Sequence, residues 1–293
     1  MFDFNNIYEA KTVKDAVEAL VCHPGAWIIA GGTDTVLGMR EGLFAGRDLV
    51  SVNGVEELKG IFTDEANNIH IKSGTVFRDI AENPVIRERI PYFADAVETI
   101  GSPQIRAMAT VGGNISNGFT TADSPPTLFS LNALARITGP QGSRVIPIQD
   151  YYKGPEQMDL GGGELLSEII IPYEDYGGYS GVYIKYAVRE AMDIAILGCS
   201  VICRASANLE YLEDIRISLG AAAPVPVRVY RAEEKARGER ITRNLPKRIG
   251  EYVRMEINPI TDRRATAEFR LHLAGVLAER AFARSLGMQG ISF

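Results

Sequence analysis

Hydrophobic and polar positions near the start of the chain predict alternating helices and strands. Between Val13 and Val21, apolar residues recur at i, i+3, i+4, i+7 and i+8, which is typical of an amphipathic helix. Thr12, with Asp15 three residues later, is typical of the N-terminal cap of that helix. Short apolar runs at residues 27–30 and 49–52 predict two strands. The chain therefore opens with a βαβ-like unit.

From about residue 58, short extended segments separated by turn residues replace the first pattern. Residues 69–72 alternate between apolar and polar side chains and predict a strand. Two consecutive prolines, Pro125 and Pro126, suit the first turn of a helix, where a missing N–H donor has no cost. The helices predicted in this region cover residues 79–89, 92–100 and 128–131, and a hairpin covers residues 134–137 and 144–148 around 139–142.

A stretch rich in glycine and tyrosine, residues 173–180, separates this region from a second block. Three strand-like runs come first in that block, and three helical patterns follow. The predicted strands are residues 182–188, 194–204 and 212–219, and the predicted helices are residues 230–237, 247–255 and 264–286. Strands followed by helices predict an α+β domain.

Length and charge limit the classes of function. The chain has 293 residues, which favours about two domains. Its net charge of −6 argues against a surface for nucleic acid or anionic membrane, because either would need a basic excess. No apolar run approaches the ~18 residues of a membrane span, and the N-terminus lacks the basic and apolar regions of a signal peptide. We therefore expect a cytoplasmic protein without a membrane span.

Cysteine and histidine offer little chemistry of their own. Three cysteines do not provide a disulfide framework and are expected to be free thiols. Cys199 and Cys203 lie four positions apart in an apolar stretch, so in a strand both would point into the core. The three histidines are scattered, and no cluster has the spacing of metal ligands. We expect no metal bound by this chain.

Two double glycines are the candidate binding motifs. Gly31-Gly32 and Gly112-Gly113 each follow a strand-like run and are predicted to be turns, whose successive amides can bind a diphosphate. Neither fits a Rossmann or a P-loop fingerprint. Neutral donors accompany them at Thr33, Thr110, Asn114, Ser116 and Asn117.

Two acidic residues near these glycines allow more than one interpretation. Asp34 and Asp123 would repel phosphate, so they either accept hydrogen bonds from hydroxyl or backbone N–H groups or serve as turn and cap carboxylates. Lys185, in a strand-like run, is either on a solvated strand face or a cation near a cofactor ring. Residues 189–193 are expected to form a solvated loop. No nucleophile or histidine arrangement identifies a catalytic residue.

Taken together, these motifs resemble those of the FAD-binding (medium) subunit in the xanthine dehydrogenase and carbon monoxide dehydrogenase family of molybdenum hydroxylases. Residues 30–34 (AGGTD) resemble the first flavin motif of that family, and residues 110–115 (TVGGNI) resemble the second. They occur about 80 positions apart, with residues 122–126 (ADSPP) downstream, and the likeness spans essentially the whole chain. Within the family, residues 102–106, 191–194 and 268–273 resemble most the separate FAD subunits of bacterial xanthine dehydrogenases.

The resemblance implies non-covalent FAD, with the diphosphate held by backbone amides of the first motif. It also implies that residues 186–193 control access of the electron acceptor. The implied cofactor-binding residues are Ile28, Ile29, Ala30, Gly31, Gly32, Thr33, Asp34, Thr35, Ile100, Gly101, Thr110, Gly113, Asn114, Asn117, Asp123, Leu166 and Lys185.

The implied fold is α+β. An FAD-binding domain of the vanillyl-alcohol-oxidase (PCMH) type covers residues 1–175, in subdomains of about 1–55 and 56–175. A smaller α+β C-terminal domain of the CO dehydrogenase flavoprotein type covers residues 178–288.

The resemblance implies an oxidoreductase whose labour is divided between chains. A large subunit with the molybdenum cofactor hydroxylates xanthine or another purine, and a small subunit with [2Fe-2S] clusters passes electrons to this flavin. The flavin reduces an acceptor such as NAD, and the complex is a dimer of heterotrimers. Related subunits serve nicotinate, quinoline, aldehyde or CO hydroxylases, and the acceptor could also be ferredoxin, quinone or oxygen. The sequence also leaves open a self-sufficient flavin oxidase and a flavin-free scaffold subunit.

Overall fold

A computed structural model describes residues 4–291. The chain begins with a three-stranded parallel sheet in the order β1-β3-β2. Its strands are β1 (Ile7–Glu9), β2 (Trp27–Ile29) and β3 (Leu49–Ser51), and its helices are α1 (Val13–Cys22) and α2 (Thr35–Arg40). The Thr12 side chain accepts a hydrogen bond from the amide of Asp15, so the predicted cap of α1 is confirmed. Helix α2 was not predicted. Its apolar residues Val36 and Leu37 are exposed, so the sequence shows no amphipathic pattern there.

A five-stranded antiparallel sheet, in the order β4-β5-β10-β6-β7, forms the centre of the molecule. Its strands are β4 (Ile61–Thr63), β5 (Ile69–Lys72), β6 (Leu134–Gly139), β7 (Gly142–Pro147) and β10 (Leu165–Ile171). A two-stranded ribbon, β8 (Tyr152–Gly154) and β9 (Gln157–Met158), lies between β7 and β10 in the chain. The predicted strand at 69–72 and the predicted hairpin are therefore confirmed.

Six short helices connect β5 to β6 and share a core with the central sheet. They are α3 (Phe77–Glu82), α4 (Pro84–Arg89), α5 (Pro91–Glu98), α6 (Pro103–Arg106), α7 (Val111–Ser116) and α8 (Ser124–Ser130). The helix predicted at 79–89 is divided in two, because Asn83 is extended and its side chain caps α4 at Pro84. Pro125 and Pro126 lie in the first turn of α8, as predicted.

The remaining residues form a four-stranded antiparallel sheet in the order β11-β12-β13-β14, followed by three helices. The strands are β11 (Ser180–Tyr186), β12 (Leu197–Ala205), β13 (Leu212–Gly220) and β14 (Val227–Arg228), and the helices are α9 (Tyr230–Ala236), α10 (Leu245–Arg254) and α11 (Ala267–Gly287). Cys199 and Cys203 of β12 are both fully buried in the core beneath α11, as expected. The α+β prediction is confirmed, and within this C-terminal block only the two-residue strand β14 was not anticipated.

The central sheet region and the C-terminal sheet pack directly on each other. Helix α5 lies against β11, and α8 lies against β12 and β13. The Ser130 hydroxyl of α8 donates to the carbonyl of Ser200 in β12. Arg216 of β13 forms a buried ion pair with Asp175, at 2.8 Å. These contacts fix the relative position of the two regions.

Within residues 4–291, no helix is long and apolar enough to cross a membrane. The same part of the chain contains no group of three or more histidine, cysteine, aspartate or glutamate side chains placed to hold a metal ion.

Candidate functional site

The first glycine motif is a loop between β2 and α2. Gly32 has a φ of +71°, a left-handed conformation that side chains strain, so glycine suits this position. Among residues 4–291, no acceptor is hydrogen-bonded to the five consecutive amides of residues 31–35. Such a run of free N–H groups fits an anionic group such as a diphosphate. The predicted turn is confirmed, and it leads directly into α2.

Side chains of the preceding strand are occupied by packing. Ile28 and Ala30 pack against the core of the parallel sheet, and Ile29 packs against a small cluster that includes Phe44. These three residues can therefore contact a ligand only through their backbone atoms. Thr33 and Thr35 are half-buried on either side of the exposed Asp34.

The second glycine motif differs from the prediction, because Gly112 and Gly113 lie in the first turn of α7 and not in a turn after a strand. Thr110 is extended and its hydroxyl accepts from the amide of Gly113, which starts the helix. The amides of Val111 and Gly112 donate to backbone carbonyls of Thr75 and Ser73. This motif therefore has few free amides, unlike the first.

In the second motif, a ligand could reach the backbone surface at Gly113 and the side chains of Asn114 and Asn117. Gly113 is exposed, whereas Asn114 and Asn117 are half-buried. A Cβ atom on Gly112 would lie 2.6 Å from the Cβ atom of Ser73, so Gly112 allows α7 to pack closely against the segment after β5. The roles of the two glycines are thus different: the first permits packing, and the second leaves access.

Tertiary contacts bring the two motifs together. A Cβ atom on Gly31 would lie 1.8 Å from the carbonyl oxygen of Met108, so the first motif lies directly against the segment before the second. The side-chain amide of Asn117 donates to the Asp34 carboxylate over 3.0 Å. Asp34 immediately precedes α2, but its side chain does not cap that helix. Although the residue as a whole is exposed, partial desolvation of the carboxylate raises the pKa of Asp34 above its ordinary value.

Asp123 and Lys185 form a buried ion pair next to the second motif. The Lys185 ammonium donates to one Asp123 oxygen at 2.8 Å, and the Tyr183 hydroxyl donates to the other at 2.7 Å. Only 11% of the Lys185 side chain and 8% of the Asp123 side chain are exposed. Burial raises the pKa of Asp123, while the two donors oppose that rise by stabilising the carboxylate.

These contacts exclude two of the interpretations left open by the sequence. Lys185 is not on a solvated strand face, since its ammonium also donates to the carbonyl of Thr99 at 3.0 Å. Asp123 precedes α8 without capping it, so the interpretation of a cap carboxylate is wrong for this residue. The alternation along β11 places Tyr183 and Lys185 on one face of the strand. That spacing was the signal that could have identified Tyr183 as a third member of this group.

The ion pair extends the candidate site to Ile100 and Gly101. Gly101 has a φ of +51° and follows Thr99, the carbonyl partner of Lys185, by two residues. Its own carbonyl accepts a hydrogen bond from the amide of Met192, at 3.3 Å. Met192 belongs to the predicted loop at residues 189–193, which has no regular secondary structure and is largely exposed. The loop therefore lies at the edge of the candidate site.

One predicted residue is less directly connected. Leu166 of β10 is 5% exposed and belongs to the same hydrophobic core as Ile115 of α7. Ser124 was not predicted, yet its hydroxyl donates to the side-chain oxygen of Asn114 at 2.7 Å. The other predicted residues follow one continuous path, from residues 31–35 through α7 to Asp123, Lys185 and Gly101.

Models of two protein families match this chain. The FAD binding domain in molybdopterin dehydrogenase matches residues 2–174, and the CO dehydrogenase flavoprotein C-terminal domain matches residues 182–285. Together they cover most of the chain in the expected order.

Individual relatives agree with the family models. The chain is 33% identical over 290 residues to a xanthine dehydrogenase FAD-binding subunit of Escherichia coli O157:H7, which covers 99% of both proteins. It is 30% identical to a glyceraldehyde dehydrogenase medium chain of Sulfolobus acidocaldarius, over 93% of this chain and 95% of that one.

Among solved structures, the fold matches carbon monoxide dehydrogenase of Hydrogenophaga pseudoflava. The TM-score is 0.92 at 26% identity, and the match covers 98% of this chain and 99% of that one. The free amides of the first motif, next to neutral donors, fit the FAD that the matching family binds. The chain therefore belongs to the FAD-binding subunits of the xanthine dehydrogenase and carbon monoxide dehydrogenase family of molybdenum hydroxylases.

Proposed function

We propose that this chain is the FAD-binding, electron-transferring subunit of a xanthine (purine) dehydrogenase. The observation that carries the proposal is the continuous path from the free amides of residues 31–35 to the Asp123–Lys185 pair. Similarity over 99% of the chain to a xanthine dehydrogenase FAD-binding subunit supports the choice of substrate class.

Amides of the first motif bind the diphosphate of FAD in this proposal. Thr33, Thr35, Thr110, Asn114 and Asn117 add neutral donors, so an anion is held without a lysine in either motif. Asp34 is turned toward Asn117 by its hydrogen bond and accepts from hydroxyl or amide donors near the cofactor. The exposed surface of Gly113 lets the cofactor approach the backbone of α7.

Ile100, Gly101 and the Asp123–Lys185 pair would hold the flavin ring, and Leu166 would support it from the adjacent hydrophobic core. FAD supplies the ability to take single electrons and to deliver two together. Lys185, paired with Asp123, holds the backbone at Thr99 in place, and its ammonium would lie near the ring as part of that ion pair. The loop at residues 186–193 borders the same position and controls how closely an acceptor approaches.

The proposed complex contains two further kinds of chain. A large subunit with the molybdenum cofactor hydroxylates the substrate, and a small subunit with [2Fe-2S] clusters delivers electrons to FAD. The acceptor is NAD, and the complex is a cytoplasmic dimer of heterotrimers. Relatives named medium chains, including that of glyceraldehyde dehydrogenase, support an assembly of several subunits.

The chain divides, in this proposal, into an FAD-binding domain at residues 1–175 and a C-terminal domain at residues 178–288. Family matches at residues 2–174 and 182–285 support that division. The proposed boundary of the two subdomains lies near residue 56. The parallel sheet ends before it, at Ser51, and β4 begins after it, at Ile61.

An absorption spectrum of the purified chain tests cofactor binding. We expect flavin bands at about 370 and 450 nm that move to the supernatant after acid precipitation, since non-covalent FAD is released from the unfolded chain. A colourless chain that takes up no added FAD would instead indicate a flavin-free scaffold subunit. Bands that stay with the precipitate would contradict non-covalent attachment.

Substrate and acceptor need the complex with its partner chains. Xanthine should reduce the flavin band of the intact complex, and NAD should reoxidise it. The same band, followed with nicotinate, quinoline, an aldehyde and CO, tests the second candidate, a hydroxylase for another substrate. That candidate is favoured by the 30% identity to a glyceraldehyde dehydrogenase chain. Reduction by an aldehyde and not by xanthine would replace the purine assignment.

A further inference from the structure

A cavity of about 390 Å³ lies at the junction of the two sheet regions, apart from the proposed flavin site. It is lined by Asn67, Arg89, Tyr173, Tyr176 and residues 177–179. The cavity is widely open to solvent, so a ligand would lie against its walls without being enclosed. None of the residues assigned to the flavin lines this cavity.

Arg89 gives the cavity an uncompensated positive charge. One of its terminal nitrogens donates to the Tyr176 hydroxyl at 3.2 Å and to the Asn67 side chain at 3.4 Å. Within residues 4–291, no carboxylate lies within 4.0 Å of the Arg89 guanidinium, although Arg87 on the same helix pairs with Asp95 and Glu98. Arg89 is half-buried, so its charge is less screened than that of a surface arginine.

The guanidinium also has unused donors. An arginine side chain carries five N–H groups in a planar fork, and carboxylates can accept two of them in parallel. Apart from the two bonds of one terminal nitrogen, no hydrogen bond of the described chain uses the Arg89 fork. A carboxylate that entered the cavity would find both the charge and the geometry that it requires.

Tyrosine rings form the cavity wall. The rings of Tyr173 and Tyr176 lie edge to face, with centroids 5.3 Å apart and planes at 87°. Tyr173 is 52% exposed and Tyr176 is 4% exposed, so an exposed ring packs against a buried one. The adjacent Gly178, at a φ of +78°, has no side chain to cover the opening. Planar groups stack favourably against such rings.

From these features, we propose that this cavity binds a planar aromatic carboxylate, with its carboxylate on Arg89 and its ring against Tyr173 and Tyr176. The cavity walls come from the turn between β4 and β5, from α4 and from the segment that links β10 to β11, and Tyr179 of that segment also donates to Asp214 of β13. Occupancy would therefore add a contact to the segment that connects the central region to the C-terminal sheet.

Calorimetric titration of the full flavin-loaded chain tests the proposal with benzoate as the probe. We expect saturable binding with a dissociation constant of about 1 mM or below, and a loss of about tenfold in Arg89→Gln. Tyr173→Ala, at an exposed position, should also weaken benzoate. Arg87→Gln also removes one arginine charge from this helix, but outside the cavity. This variant should bind benzoate with the affinity of the unaltered chain.

Three further probes distinguish the chemistry. Cyclohexanecarboxylate keeps the charge without the aromatic plane, benzyl alcohol keeps the ring without the charge, and inorganic phosphate is an anion alone. Benzoate should bind at least several-fold more tightly than each of them. Any of three results would overturn the proposal. They are phosphate binding as tightly as benzoate, the same loss of benzoate affinity in Arg89→Gln and Arg87→Gln, and no saturable binding of benzoate. The melting temperature and flavin spectrum of each variant show whether it is folded.

Discussion

At the scale of single residues, the Asp123–Lys185 pair is the most constrained polar contact of the candidate site. Both side chains are buried, and each has one further hydrogen-bond partner, Tyr183 for the carboxylate and the Thr99 carbonyl for the ammonium. Removing one member of a buried pair leaves the other charge without compensation. Removing both members should therefore lower the free energy of unfolding by less than the sum of the two single removals.

This pair gives the first prediction, a double-mutant cycle. Asp123→Asn and Lys185→Met should each lower the free energy of unfolding by about 3 kcal/mol, and the double variant should lose less than their sum by more than about 1 kcal/mol. Chemical denaturation measures the stabilities, and the flavin-to-protein absorbance ratio measures cofactor retention. Additive losses would show that the two side chains do not interact.

A second prediction concerns pH and Asp262. Burial opposes the shift, but the ion pair with Arg270, at 2.8 Å, and hydrogen bonds from the amides of Arg264 and Ala265 lower the pKa of Asp262 from 3.8 to about 2. Because the folded pKa is depressed, this carboxylate stabilises the protein above its ordinary pKa, and that contribution is lost as pH falls toward about 2.

Asp262→Asn should therefore melt below the unaltered chain at pH 7, with a loss of about 1 to 2 kcal/mol. The difference between the two melting temperatures should begin to narrow as pH falls below about 4, where Asp262 becomes protonated in the unfolded chain, and should be lost near pH 2, where it becomes protonated in the folded chain. Asp150→Asn, an exposed position on the central region, serves as the control and should change little. A difference that does not depend on pH would contradict the assigned ion pair.

At the scale of elements, the glycines of the two motifs have separable roles. Gly31 permits the loop after β2 to contact the carbonyl of Met108, and a Cβ atom there would overlap that oxygen at 1.8 Å. Gly113 lies in α7, where alanine is a better helix former, and its nearest neighbour is the Thr110 hydroxyl at 3.0 Å.

The third prediction compares these two positions. Gly31→Ala should lower the free energy of unfolding by about 3 kcal/mol or more, because backbone atoms must move, and it should lose FAD as well. Gly113→Ala should remain within about 1 kcal/mol of the unaltered chain but retain less FAD. Thermal unfolding of the FAD-free protein and FAD titration separate the two effects. Unchanged FAD affinity in Gly113→Ala would contradict close approach of the cofactor to α7.

At the scale of the whole molecule, the candidate site depends on the contact between the central and C-terminal regions. Asp123 precedes α8, whereas Tyr183 and Lys185 come from β11 of the C-terminal sheet. The Thr120 hydroxyl donates to the carbonyl of Ala223 across the same contact, at 2.7 Å. FAD bound along this path would touch both regions and couple their stability.

The fourth prediction follows from that coupling. The FAD-free chain should unfold in one transition, and FAD at 100 times its dissociation constant should stabilise it by about 2.7 kcal/mol. A chain of residues 1–175 lacks Tyr183 and Lys185 and should bind FAD more weakly than the full chain. Differential scanning calorimetry and FAD titration measure these effects. Equal FAD affinity of the two chains would place the cofactor entirely within the first domain.

Local patterns were sufficient for most elements because their signals lie in neighbouring residues. The cap at Thr12 and the prolines in the first turn of α8 were found as predicted, and β11, β12 and β13 lie within three residues of their predicted bounds. The failures were also local in origin. Helix α2 leaves Val36 and Leu37 exposed, and α7 begins at glycines, which ordinarily favour turns over helices.

The sequence by itself was sufficient to predict the groups proposed to bind FAD, since the two glycine motifs and their neutral donors are short contiguous segments. Only the tertiary structure decided which of them meet. Asp34 lies 83 positions from Asn117, and Asp123 lies 62 positions from Lys185. Periodicity and turn chemistry describe a residue's near neighbours along the chain. Contacts over such separations arise from the packing of whole sheets and helices, which place these side chains at one site.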